Sequence, residues 1–263
     1  MKVARRFAGV LGVLAVVLAS CGTAQSGTST DAQELLVAAA SDLRPAFEEI
    51  GRQFESDHDA EVTFSFGSSG LLAQQVIRGA PFDVFVAANE QFVDDVIAAS
   101  VGRGETKQRY AIGRLAMWSG VDGDSPASVE DLALPRFRRI VIANPEHAPY
   151  GIAARQALEA AGVFDAVQDR LVYGESVSDA QRIVETGNAD VGIIALSLAM
   201  AAGGTHTLVP MALHAPLVQS LVVTATDANE RLARKFTAFV TGPRGREIMA
   251  RNGFEPASDS GIQ

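Results

Sequence analysis

Cysteine occurs once in the 263 residues, at Cys21, so no intrachain disulfide is available. Tryptophan also occurs once, and the four histidines, His58, His147, His206 and His214, show no metal-ligand spacing. Positive charge is scarce: 22 lysines and arginines stand against 31 acidic residues, a formal charge of -9. Such a surface repels nucleic acid and anionic lipid, so no nucleic-acid partner is expected. Tandem repeats are absent, and no apolar run is long enough to span a bilayer comfortably. What the chain has is core-forming material. At 48% hydrophobic residues it is no disordered protein, and it can bury one large core or two smaller ones.

The N-terminus carries an export signal. Lys2, Arg5 and Arg6 precede the apolar run FAGVLGVLAVVLA, a basic start and short hydrophobic region expected to occupy 1–20 outside the fold. The run ends in LASC, which with Gly22 resembles a bacterial lipobox, whose cysteine becomes the lipid-modified first residue. Cys21 is therefore the expected lipid attachment site. A lone buried thiol is the competing reading, and its position directly after an export signal disfavours it. Residues 21–33, including GTAQSGTSTDAQ, read as a flexible tether. The working domain is expected to begin near Glu34, outside the cytoplasmic membrane and anchored to its outer face.

From there strand-like and helix-like segments alternate. LLVAAA (35–40) is followed by LRPAFEEIGRQFES, where Leu43, Phe47, Ile50 and Phe54 recur at helical spacing. VTFSF (62–66) leads into LLAQQVIRG (71–79), and DVFVAA (83–88) into EQFVDDVIAAS (90–100). Three β-α repeats predict a mainly parallel sheet with helices on both faces. Further strands are predicted at YAIGRLAMWS (110–119), RRIVIANP (138–145), DVGIIAL (190–196) and LVQSLVVTAT (217–226), the last completing a second set. Helices are predicted over 150–161 and 178–186, and two more near the C-terminus, broken at Gly242-Pro243. The length suits two α/β lobes, with a ligand in the crevice at the carboxyl ends of the strands.

Two β-α junctions carry small hydroxyls. FSFGSSGLLAQQV turns from strand to helix through Gly67, Ser68 and Ser69, and AAASDLRPAF does so at Ser41. Unpaired N–H groups and hydroxyls at helix N-termini are the parts of an anion site, although a serine there can simply cap its own helix. Neighbouring parallel strands would bring Ser41 and Ser69 to one sheet edge, with Ala87, Ala88 and Asn89 leaving room beside them. GSSG is not the nucleophile elbow G-x-S-x-G.

At this point a family resemblance applies. AAASDL, SFGSSGLLAQQVIRGAPFDVFVAANE, NPEHAPYGIAARQALEAAGVF and VSDAQRIVETGNADVGII resemble, in order and spacing, the molybdate-binding (ModA) proteins of bacterial ABC importers. The resemblance covers nearly all of the chain after the tether. It implies an α/β, two-lobed periplasmic-binding-protein fold of type II, each lobe a mainly parallel sheet flanked by helices. Lobe 1 is expected over 34–112 and 225–263 and lobe 2 over 113–224, with crossings near 109–114 and 222–228. It also implies capture of molybdate, with tungstate as a second ligand, no catalysis, no metal or other cofactor, a membrane permease as partner, and a monomer. By position, the anion-binding residues fall on Ser41 and Ser69, through N–H and hydroxyl, and on the backbone of Tyr150 and Val177. Where many members carry a further tyrosine this chain has Ala195. The Tyr150 hydroxyl is the expected substitute, as in members that supply a phenol from the PYG position.

The chemistry fits such a ligand. Hydrogen bonds to a charged acceptor are strong, and helix ends supply positive potential without lysine or arginine. A donor-only site rejects protonated oxyanions, so monohydrogen phosphate should bind poorly while molybdate, tungstate and sulfate qualify. Asp42 is expected to face outward in the first helical turn. Two rivals remain: a sulfate receptor, and a secreted serine hydrolase using Ser68 or Ser69 with His147, a residue otherwise read as structuring its loop. The hydrolase requires an acid-oriented histidine that the spacing does not suggest. A ferric-ion receptor is disfavoured because Tyr110, Tyr150 and Tyr173 are scattered.

Overall fold

The computed structural model describes residues 33–225 and 228–257. The expected export signal, Cys21 and the tether up to residue 32 lie outside them, as do two residues of the expected second crossing. Gln33, assigned to the tether, instead opens the first strand opposite Ala60, because the parallel ladder extends beyond the apolar run.

In chain order the elements begin with β1 (Gln33–Ala40), α1 (Arg44–Asp57), β2 (Ala60–Gly67), α2 (Ser69–Ile77), β3 (Val84–Ala87) and α3 (Glu90–Ala98). Next come β4 (Gln108–Gly113), β5 (Leu115–Trp118), β6 (Ile140–Ala143), α4 (Pro149–Ala160), α5 (Phe164–Val167), β7 (Leu171–Gly174) and α6 (Val177–Glu185). The chain continues through β8 (Val191–Ala195), α7 (Leu196–Ala202), β9 (His206–Leu208), β10 (Leu217–Val223), α8 (Glu230–Thr241), α9 (Pro243–Arg251) and β11 (Glu255–Pro256). One sheet has the order β11-β4-β10-β3-β1-β2, the other β7-β6-β8-β5-β9. Both are mainly parallel: β10 and β11 run against their neighbours in the first, and β5 in the second.

Period-two alternation in the first sheet sends side chains to two cores. Leu35, Val37 and Ala39 of β1 join Phe47, Ile50 and Phe54 of α1, while Ala38 joins Leu72 and Val76 of α2 and Val93 and Val96 of α3. On the α1 side, Phe236 of α8 meets Phe54 edge-on with ring centroids 5.3 Å apart. Both faces are thus covered by helices, as the β-α rhythm predicts. In the second sheet Trp118 is fully buried, and its indole N–H donates to the Gly203 carbonyl at 2.8 Å.

Two expectations need correction. The strand predicted over 110–119 is two strands in different sheets, separated at Arg114, whose carbonyl accepts from Leu196 N–H and whose guanidinium pairs with Glu255. The strand at 217–223 belongs to the first sheet, between β3 and β4, not to the second. Buried along its whole length, with Gln219 and Ser220 among its apolar residues, it carries no alternation that could assign it. The chain therefore crosses to the second sheet at Arg114, within the first expected crossing, but returns through 209–216, before the second. The expected lobe boundary at 224/225 accordingly falls too late.

Candidate functional site

Four strand-to-helix junctions meet between the sheets. β1 ends at Ala40, and a single turn over Ser41–Leu43 leads into α1; β2 ends at Gly67, with Ser68 before α2. From the other sheet, β6 leads through 144–148 to Pro149 and Tyr150 at the start of α4, and β7 through Ser176 to Val177 at the start of α6. They line one small cavity that brings together Ser41, Ser69, Tyr150 and Val177. Ala88 also lines it, and no lysine or arginine does. This is the crevice at the carboxyl ends of parallel strands where α/β folds hold ligands.

The lining is biased toward hydrogen-bond donors. The N–H groups of Ser69, Tyr150 and Val177 have no acceptor among the described residues, as the first N–H groups of a helix lack intrahelical partners. Ser69 is 1% and Ser41 2% exposed. The Ser69 hydroxyl accepts from Ala88 N–H at 3.0 Å, and that of Ser41 accepts from Ser178 N–H at 3.3 Å. An oxygen that accepts from the backbone keeps its own proton to donate, so both hydroxyls are oriented as donors. Sequence reasoning missed these two orienting amides; the small residues of Ala87-Ala88-Asn89 were the available signal for the first.

Asp42 overturns its expected outward orientation. It is 0% exposed and lines the same cavity, because residues remote in sequence fold over it. Gln219 of β10 donates to its Oδ2 at 2.9 Å, and Ser197 donates to its carbonyl at 2.7 Å. Burial pushes the Asp42 carboxyl up to about 7, against the opposing pull of hydrogen bonds from Tyr150, its own backbone and Gln219. The phenols of Tyr110 and Tyr150 are raised in turn, first by burial and then by the Asp42 charge. The Tyr150 hydroxyl stands beside that carboxyl and against Gly113, where a Cβ would lie 2.2 Å from the phenol oxygen. Ala195, at the position of the missing tyrosine, is buried at the end of β8 and does not line the cavity.

His147 lies in the loop before α4. Its Nδ1 is 2.8 Å from Ser68 Oγ, but the Ser68 hydroxyl proton goes to the His147 carbonyl at 2.7 Å. No carboxylate of the described residues bonds the other ring nitrogen, so the orienting acid of a hydrolytic triad is missing. Groups of three or more histidine, cysteine or acidic side chains able to hold a metal are likewise absent among the described residues.

The model of the bacterial extracellular solute-binding proteins matches residues 35–255. The chain belongs to this family. A relative of this solute-binding protein in Rhodobacter capsulatus, the molybdate-binding protein ModA, is 32% identical over 227 residues, 85% of this chain and 88% of the relative. The structure of the Azotobacter vinelandii periplasmic molybdate-binding protein matches it with a TM-score of 0.76 at 32% identity, over 84% of this chain and 98% of that one. The sulfate-binding protein SubI of Mycobacterium tuberculosis H37Rv matches with a TM-score of 0.69 at 16% identity over 87% and 88%, and shares the fold alone. The family and these relatives are binding proteins, not enzymes, which sets the serine hydrolase aside.

Proposed function

We propose that this solute-binding protein captures molybdate, and tungstate as a second ligand, and delivers it to an ABC importer. The carrying observation is the convergence of Ser41, Ser69, Tyr150 and Val177 on one cavity without cationic side chains. Two donor-oriented hydroxyls and three unaccepted N–H groups surround it. Such donors bind a dianion strongly because each bond is charge-assisted and the helix ends add positive potential. The molybdate-binding relatives share this framework over most of their length.

In this reading Ser41 and Ser69 hold the anion from one lobe by N–H and hydroxyl, and the backbone of Tyr150 and Val177 holds it from the other. The Tyr150 hydroxyl has one proton, shared in a hydrogen bond with Asp42, and reaches the anion as a donor only by turning from that carboxyl. Closure excludes water, and the closed monomer docks on the permease. Lipidated Cys21 holds the protein at the outer face of the membrane, which the export signal and the LASC motif support. Sulfate is the competing ligand, favoured by the same donor set; cavity size must separate it from the larger oxyanions. Calorimetric titration of Ser41→Ala and Ser69→Ala with molybdate tests the site. Each should bind roughly 10- to 150-fold more weakly, the loss of one hydrogen bond to a charged group. Unchanged affinity in both would overturn the assignment.

A further inference from the structure

We propose that Ser68 and His147 are positioning residues that clasp the two lobes shut over the bound anion and set how long it stays; the inference rests on the oxyanion-receptor reading. Ser68 occupies the residue before α2 in extended conformation, φ -69° and ψ 134°, where a serine ordinarily accepts from an N–H of its own helix. Asn89 and Ser176 do so before α3 and α6, from Phe92 and Asp179 N–H, each at 3.2 Å. The Ser68 side chain makes no such bond. Its hydroxyl crosses to the loop of the other sheet and donates to the His147 carbonyl at 2.7 Å. With that proton committed, Oγ is left to accept from His147 Nδ1–H at 2.8 Å. Gly70 N–H donates to the same carbonyl at 2.9 Å, so three bonds from one lobe end on one residue of the other. The approach is close: a Cβ at Gly70 would lie 2.7 Å from that carbonyl oxygen.

Two physical consequences follow. Because Ser68 turns away from its own helix, the Gly70 N–H that it would ordinarily accept from goes to the His147 carbonyl, while Ser69 N–H, the first of α2, has no acceptor among the described residues. The clasp also draws the N-termini of α2 and α4 together, and these like-signed dipole ends repel until an anion sits between them. It therefore does little to hold an empty receptor shut and much to slow release from a loaded one.

The test measures molybdate release by stopped flow, affinity by calorimetry and ligand-free melting temperature, for wild type, Ser68→Ala, Ser68→Thr, His147→Ala and the Ser68→Ala/His147→Ala pair. Ser68→Ala should release molybdate roughly tenfold faster with little change in association rate. His147→Ala should have a smaller effect, since the carbonyl bonds remain, and the pair should release no faster than Ser68→Ala, because both remove one shared contact. Ser68→Thr should keep the wild-type rate, and the ligand-free melting temperature should not move. Wild-type release from Ser68→Ala, or a fall in its ligand-free melting temperature that accounts for weaker binding, overturns the clasp while leaving the receptor reading intact. Failure of wild type itself to bind molybdate overturns the receptor reading and the clasp with it.

Discussion

Replacing Asp42 with asparagine removes a buried ionisable group while keeping an acceptor for Gln219. The wild-type carboxyl is fully buried and titrates near 7 in place of its ordinary 3.8. The folded protein therefore binds the more tightly held proton. Below about pH 4 the carboxyl is neutral in both the folded and unfolded states, and burial costs least there. As pH rises from about 4 to about 7, the unfolded chain ionises first and stability is lost, at up to roughly 1.4 kcal/mol per pH unit. Across about three units the loss is on the order of 4 kcal/mol, a large share of a marginal folding free energy. Urea unfolding of ligand-free wild type and Asp42→Asn at pH steps from 4 to 8 measures it. The two proteins should be similar at the acid end, and the variant should gain steadily toward pH 8. A constant gap across the range would show that Asp42 does not titrate as a buried, uncompensated carboxyl and would refute the reasoning.

Other outcomes follow from the same neighbourhood. Tyr150→Phe removes a hydrogen bond that lowers the Asp42 pKa, so the midpoint of the pH transition should move upward, read from the same unfolding series. The same variant, titrated with molybdate, should bind more weakly where the phenol stands in for the tyrosine absent at Ala195; unchanged affinity retires that role. Gly113→Ala puts a methyl into the space of the Tyr150 hydroxyl and should cost about 1–3 kcal/mol of stability in denaturant unfolding.

The fold was legible wherever local pattern determined it. Helical spacing of Phe47, Ile50 and Phe54, and alternation through 62–66, reported their elements because each element buries one face. β10 was misplaced because a strand buried on both faces has no alternation, and its partners, β3 and β4, are remote in the chain. The break at Arg114 was hidden for a similar reason: apolar residues flank it on both sides although they belong to different sheets. At the site, Ser41 and Ser69 stood out because a small hydroxyl where a strand gives way to a helix has few uses. Tyr150 and Val177 had no such local mark, since a backbone N–H is invisible in a side-chain pattern, and they came from the family resemblance. Asp42 was misread because its orientation is imposed from outside, by Gln219, Ser197 and Tyr150.

The central claim is tested most directly by calorimetric titration of anion-free protein with molybdate, tungstate, sulfate and phosphate in one buffer. The account predicts tight binding of molybdate and tungstate and weak or absent binding of sulfate, with phosphate reporting whether the buried Asp42 carboxyl accepts from a protonated oxyanion. Sulfate binding equal to or tighter than molybdate would contradict it and make the protein a sulfate receptor, and no heat with any of the four would contradict the oxyanion site itself.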